Sequence, residues 1–477
     1  MKRILISIFS SITFLGHAQI NTQDTSDGSV IISPRGIQGK TSGNGSTTNI
    51  SLGTNNLKSI TTGYSNIGIG RNSLYTNTTG YGNISIGDSS LFFNSSGELN
   101  IGIGTNALRS NTNGFQNTAV GGNTLAQNTT GRTNVAIGMW AMQSNTTGFS
   151  NSAVGNRALS SNTTGYWNTS VGSSSLAVNN IGNENTAIGF STLGTNSTGN
   201  NNTAVGSRAL NNNMTGSFNT ANGNQALLNN TTGSYNTATG HFSLSTNTTG
   251  SQNTANGLLS LKNNTIGTNN AAVGSFSLEN NTTGSSNTGV GLNALNTNTT
   301  GNNNTGIGSG ADVTLTGLSN ATAIGFDAKV NASNKVRIGS TSVTVIEGQV
   351  AWSNPSDRRL KENIIYSTKL GLDFINRLQT ASYNYIDDKN KIRYDGFIAQ
   401  DIEQVMKDLN LPFSGLKKSA DGYYSLAYSD FVMPLVNAVK EQQAQINALK
   451  KMLEGFEQKL TTFESIKNQQ TNQQTSK

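Results

Sequence analysis

The sequence predicts a mainly β protein: a repetitive β-solenoid or β-roll shaft of 17-residue coils, then a small α+β domain ending in a coiled coil. Three observations carry this. Glycines recur with a fixed period of 17 through most of the chain. Only 33% of the residues are hydrophobic and 12% charged, too few for ordinary globular domains over 477 residues. The period stops after Gly325, where charges become dense and a heptad pattern follows.

Composition narrows the function classes. So little charge disfavours a solvated, disordered polyelectrolyte and directs attention to repeats. The net charge of +7 is spread thinly, and without a basic run it is weak support for nucleic-acid binding. The absence of cysteine excludes disulfides and thiolate metal sites, and two histidines argue against a histidine metal site. No metal or cofactor is expected.

Met1 to Ala18 has a basic start (Lys2, Arg3), an apolar stretch from Ile4 to Leu15 and a small-residue end. That is the layout of a secretory signal peptide, and the apolar stretch is short for a membrane span. Export to the extracellular space or cell surface is expected. No later stretch is long and apolar enough to cross a membrane. Residues 19–59 read as an N-terminal cap or linker.

The shaft is expected over residues 60–325. One glycine set runs from Gly63 to Gly301 and a second from Gly70 to Gly325, each in steps of 17. Asparagine follows every first-set glycine by three, from Asn66 to Asn304, and precedes it by three from Asn77 to Asn298. Leucine follows the second-set glycine by four from Leu74 to Leu295, with Met142 the one exception. Thr-Ala-Val before the second glycine predicts a short strand. The glycines and N-T-T-G predict turns. Too few helix formers remain between the glycines for a helical repeat.

Stacked at about 4.8 Å per coil, the Asn residues should form hydrogen-bonded ladders, with Leu and Val/Ile in internal columns. Such a core is thin, so association with other chains is expected. The Val/Ile column is interrupted by Asn222, Thr239 and Asn256. Three readings stay open for these: a ladder satisfied within the chain, rings of amides in a trimer, or a column facing solvent. The Thr column (Thr169 to Thr254) reads as an exposed β-branched column, with ice binding as the sharper alternative. Asp is too rare for a calcium roll. The acids between 63 and 308, namely Asp88, Glu98, Glu184 and Glu279, form no pair of the kind a glycosidase uses. The N-x-T sequons are by-products of the repeat. The repeat resembles the head coils of trimeric autotransporter adhesins, whose units are shorter.

Residues 326–355 read as a β connector, with two strands around Gly-Ser-Thr-Ser within Lys335 to Trp352. A folded domain is expected over 356–431, a coiled coil over 432–466 and a disordered tail over 467–477. The coiled-coil seam is Leu435, Val439, Gln442, Ile446, Leu449, Leu453, Phe456, Leu460 and Phe463, spaced alternately by four and three.

Ser356-Asp357-Arg358-Arg359-Leu360-Lys361-Glu362-Asn363 can be read simply as a helix start with Ser356 as N-cap. It is followed by Gly396-Phe397-Ile398-Ala399-Gln400, by Tyr424-Ser425-Leu426-Ala427-Tyr428 and by the heptads. In that order the set resembles the C-terminal intramolecular chaperone domain of endosialidase-type phage tailspikes. The resemblance implies a domain that helps a trimeric β-structured shaft assemble and then cuts itself off. It implies Ser356 as nucleophile, Lys361 as base and Pro355–Ser356 as the bond cut, with Asp357, Arg358 and Arg359 as possible support.

The reading is an exported, homotrimeric, tail-fibre-like or adhesin-like protein that acts once as a serine peptidase on its own chain. Cell-surface polysaccharide or another surface ligand is an expected partner. The alternative is an ice- or polysaccharide-binding solenoid that uses the domain only to fold. A hydrolase acting on external substrate is disfavoured by the acid-poor shaft.

Overall fold

The structure, a computed structural model, describes residues 31–33, 36–38, 48–350, 352–386, 391–419 and 422–474. The signal-peptide reading of Met1 to Ala18 lies outside them. The chain divides into two compact units at residue 340.

The first unit is a β-solenoid. Each coil contributes one three-residue strand, paired in parallel with the equivalent strand of the coils before and after it. Thr186, Ala187 and Ile188 lie opposite Thr203, Ala204 and Val205, a shift of one repeat. The ladder starts at Ile50–Leu52, earlier than residue 60, and ends at Val336–Ile338. Its last coil is shorter, since Thr322 pairs with Val336. Beside it Asp312–Val313 pairs in parallel with Lys329–Val330. The expected pair of strands in Lys335 to Trp352 reduces to Val336–Ile338, which extends the stack instead of folding into a hairpin.

The interior is built of leucine, small residues and asparagine. The leucines from Leu57 to Leu295, with Met142, are fully buried, as are the mid-strand alanines such as Ala187 and Ala204. Two Asn ladders run beside them. Asn196 Nδ2 donates to Asn179 Oδ1 (2.8 Å) and to Gly199 O (3.0 Å), and Asn213 Nδ2 donates to Asn196 Oδ1 (2.8 Å). In the other ladder Asn202 Nδ2 donates to Asn185 Oδ1 (3.1 Å) and to Gly216 O (2.9 Å). Among the described residues no buried side-chain nitrogen or oxygen lacks a partner. An interior this rich in amides is stable only because one coil presents the acceptor at the height where the next needs it.

The second-set glycines take positive φ at the turns, as at Gly189 (131°) and Gly206 (125°), but they are not alone in it. The column leucines do so too, with φ 47° at Leu176 and 54° at Leu159. That conformation is unfavourable for a bulky residue, but it carries the side chain into the core. The backbone bond from Leu176 N to Thr192 O (3.0 Å) ties it to the next coil. The first-set glycines are needed for closeness instead: a Cβ on Gly199 would fall onto Gly216 O and Asn196 Oδ1.

The Val/Ile column is a correction. Ile137, Val154, Ile188, Val205 and Ile307 are exposed, and so are Asn222 and Asn256, while Thr239 is partly so. In a three-residue strand the first and third side chains share one face and the second takes the other. The tightly packed interior accepts only Ala, Ser or Gly in the middle, so Thr and Val must both point outward. Of the three readings for Asn222, Thr239 and Asn256, a ladder buried within one chain is excluded.

Asn196→Ala should lower shaft stability by about 2–4 kcal/mol, because it removes two donated bonds and takes from Asn213 Nδ2 one of its two buried acceptors, leaving it only Gly216 O. Denaturant unfolding followed by far-UV circular dichroism measures this. A loss under about 0.5 kcal/mol would show that the ladder does not hold the coils.

The second unit is small and α+β. Helix α1 (Leu372–Arg377) and helix α2 (Ala399–Leu409) pack with two antiparallel hairpins. One pairs Thr380–Tyr383 with Tyr394–Phe397, the other Leu416–Lys418 with Tyr424–Leu426. Phe374, Ile402, Phe413 and Phe431 form its buried core. The long helix α3 (Val432–Gln474) follows. It continues past residue 466, through most of the expected tail. Near its start Glu441 Oε2 accepts from Leu372 N (2.8 Å), which caps α1, and Asn437 Nδ2 donates to Leu370 O (3.2 Å). Beyond that, Leu449, Leu453, Phe456, Leu460 and Phe463 are exposed along the predicted seam. No helix among the described residues is long and apolar enough to cross a membrane.

Candidate functional site

The segment from Ser353 to Lys361 is irregular except for one 3-10 turn, Arg358–Leu360. Its N-cap is Asp357, which accepts from Arg359 N (2.8 Å), and not Ser356 as the simplest sequence reading has it. Arg359 also clasps the Asp357 carboxylate through Nε (3.1 Å) and Nη2 (2.7 Å). That bonding holds Asp357 below the usual carboxylate range and raises Arg359. The capped turn closes with Leu360 N donating to Asp357 O and Lys361 N to Arg358 O, both at 3.1 Å.

This turn reverses the chain and returns Lys361 to Ser356. Lys361 Nζ lies 2.7 Å from Ser356 Oγ, where it donates a hydrogen bond. With Asp357 capping the turn, the Ser356 side chain is left to face the amine. The structure thus unites Ser356 and Lys361, places Pro355 next to them, and assigns Asp357 and Arg359 to building the turn. The Arg359 charge is spent on Asp357 instead of on the lysine. Arg358 is exposed and carries none of the turn's side-chain bonds. All residues from Trp352 to Lys369 are exposed, including Ser356 and Lys361. Among the described residues no backbone N–H bonds the Pro355 carbonyl oxygen. Among the described residues there is also no acid or histidine cluster able to hold a metal ion.

The other two motifs meet at the edge of the core of the same unit, with Phe397 and Leu426 packed against it. Phe397 N donates to Tyr428 Oη (3.0 Å), and the Phe397 ring stacks on Phe431 at 5.1 Å. A Cβ on Gly396 would collide with Tyr428 Oη, so that glycine leaves room for the tyrosine. Gly-Phe-Ile-Ala-Gln is therefore a strand end and helix start, and Tyr-Ser-Leu-Ala-Tyr the strand and tyrosine that lock it. Gly396 and Tyr428 are visible in the sequence only as motif letters and Glu441 belongs to no motif; the contacts that give them their roles span 31 residues and more.

Tyr383 sits in this cluster, and its hydroxyl is pushed up to about 12, first by hydrogen bonding to Tyr385 and then by burial. A raised folded-state pKa favours the fold fully below the unfolded value near 10 and is lost as pH rises toward 12. Thermal melts of the C-terminal unit should therefore fall in midpoint between those pH values. In Tyr383→Phe this fall should be smaller, and tyrosinate absorbance should lose its most alkaline component. An identical alkaline profile in the variant would rule out this role.

The family model described as chaperone of endosialidase matches residues 356–411. No curated protein matches the chain. The matched segment opens at Ser356 and takes in the turn, α1, the first hairpin and α2. The carboxyl-terminal part of this chain thus resembles, in sequence, the chaperone that accompanies endosialidase.

Proposed function

We propose that this is an exported, tail-fibre-like protein whose C-terminal unit brings three copies of the chain together and then releases itself between Pro355 and Ser356. The observation that carries the reading is the 2.7 Å approach of Lys361 Nζ to Ser356 Oγ at the first residue of the chaperone-like segment.

The chemistry follows from adjacency. Ser356 Oγ attacks the carbonyl carbon of Pro355 through a five-membered ring, and the Oγ proton passes to a neutral Lys361 amine. Proximity of this kind supplies several kcal/mol of the barrier. The C–N bond then breaks, the Ser356 amine takes up a proton, and an ester joins Pro355 to Ser356 Oγ. Water adds to the ester, leaving a Pro355 carboxylate and a free Ser356 hydroxyl. A lysine acts as base only when it gives up its proton, which exclusion of water favours. In the single chain the pair is open to solvent, so the chemistry is assigned to the assembled state, in which other copies cover the segment. A folded preparation of the full chain should run as two pieces on a denaturing gel. One full-length band would speak against the proposal.

The polysaccharide alternative has one observation in its favour. Phe218 and Tyr235 stack at 5.0 Å with ring planes 3° apart, and both are exposed, as is Trp167 beside Tyr166. Flat exposed rings suit the apolar faces of sugars. Retention on polysaccharide-coated beads that is lost in Phe218→Ala/Tyr235→Ala would favour it.

A further inference from the structure

The outward face of the shaft strands is two side chains wide and carries no charge. Its first column runs from Ile50 to Thr322 through Ile, Thr, Val, Ser and Ala. Its second runs from Leu52 to Ile324 and is aliphatic except at Asn222, Thr239 and Asn256. Ile188 is 41% exposed and Val205 37%, and neither column contains a Lys, Arg, Asp or Glu. With about eighteen strands at about 4.8 Å and a width of about 10 Å, the face covers roughly 800 Å². Its aliphatic second column makes up about half of this, roughly 400 Å², the size of the largest apolar patch on an ordinary monomer, which is often functional. Shared between two neighbours in a ring, the whole face gives each contact roughly 400 Å² per copy, about half of what one partner buries in a standard interface, to which the α3 stripe adds.

We propose that this strand face is where copies of the chain meet, and that the belt of Asn222, Thr239 and Asn256 holds them in register. The proposal rests on the three-copy reading and specifies its contact surface. A second copy is the occupant that the face itself describes. It is neutral, so identical faces do not repel, and in a ring of three all of it, roughly 800 Å² per copy, meets the two neighbours. The same chain carries a second unpartnered apolar stripe, on α3. Two columns give each copy one edge for either neighbour, a head-to-tail contact that closes into a ring.

A face that repeats every coil is prone to slip by one coil. The belt breaks that degeneracy. In register, the polar groups of all copies lie at one level and can bond one another. A slip of one coil sets an amide beside Val205 or Val273, where it loses its partners.

The test uses the full chain with Ser356→Ala, which has no native cysteine to interfere. Ile188→Cys should be linked between copies by a short bismaleimide in most molecules. Thr198→Cys, exposed in the turn of the same coil, should stay largely unlinked. Sedimentation equilibrium is run on both. Three chains with linkage at Ile188 is the expected result. Three chains with linkage only at Thr198, or at neither, would overturn the face and leave the assembly reading standing. Single chains would overturn the assembly reading and this proposal with it. A nitroxide on Thr198→Cys should report one narrow distance between copies. That distribution should broaden when Asn222→Val, Thr239→Val and Asn256→Val are added. A distribution that stays narrow would overturn the role of the belt.

Discussion

Replacing Ser356 or Lys361 with alanine should leave the chain whole under conditions in which the unaltered protein is cut. The expected effect is close to all-or-none. Without Oγ no acyl transfer from Pro355 can begin, and without the amine the hydroxyl has no base within reach: Lys361 Nζ is the group that bonds it, at 2.7 Å. Arg359→Ala should behave differently. It removes the clasp on Asp357, an exposed pair, so cleavage should slow only a few-fold through loosening of the turn. Intact mass after a fixed incubation reads all three variants. Cleavage in Ser356→Ala at the wild-type rate would remove the dyad from the account.

The second large effect belongs to α3. Leu453, Phe456 and Leu460 lie along one stripe of the helix, with Phe456 67% exposed. Changing all three to serine takes little from the fold of a single chain, since these side chains touch no core of their own unit. It removes a large part of the apolar seam that a coiled coil would bury, on the order of 2 kcal/mol per side chain per copy. The expected outcome is loss of the three-copy species. Aggregated or poorly folded shaft should accompany it, because parallel strands that must pair in register are slow to assemble unaided. A well-folded, three-copy shaft from this variant would show that the helix has no part in assembly.

Much of the shaft was readable from its letters because one coil decides all the others. The Asn at fixed distance from Gly announces a ladder, and the Leu column announces a core. The Val/Ile column departs from the sequence expectation because aliphatic character is no sign of burial in this coil. The pattern held the opposite sign: in Thr-Ala-Val only the middle residue is always small, and period two ties Val to Thr on the outer face. The leucines at positive φ were not legible either, since that conformation is dictated by stacking and not by local preference. In the C-terminal unit the order of motifs was enough for the family resemblance, and it is that resemblance, not the five-residue spacing, that singles out Ser356 and Lys361. The capping role of Asp357 was missed, although an Asp two residues before Arg359 is as good an N-cap as Ser. Gly396 and Tyr428 were visible as motif residues, but the reason for each lies in the other.

The central claim is that the C-terminal unit assembles the shaft and then leaves it. Native mass spectrometry of the folded product, followed by N-terminal sequencing of its pieces, tests this most directly. The account predicts a complex of three shaft chains, each ending at Pro355, and a separate fragment that begins Ser356-Asp357-Arg358. A single uncut chain, or a shaft complex whose pieces break elsewhere, would contradict it.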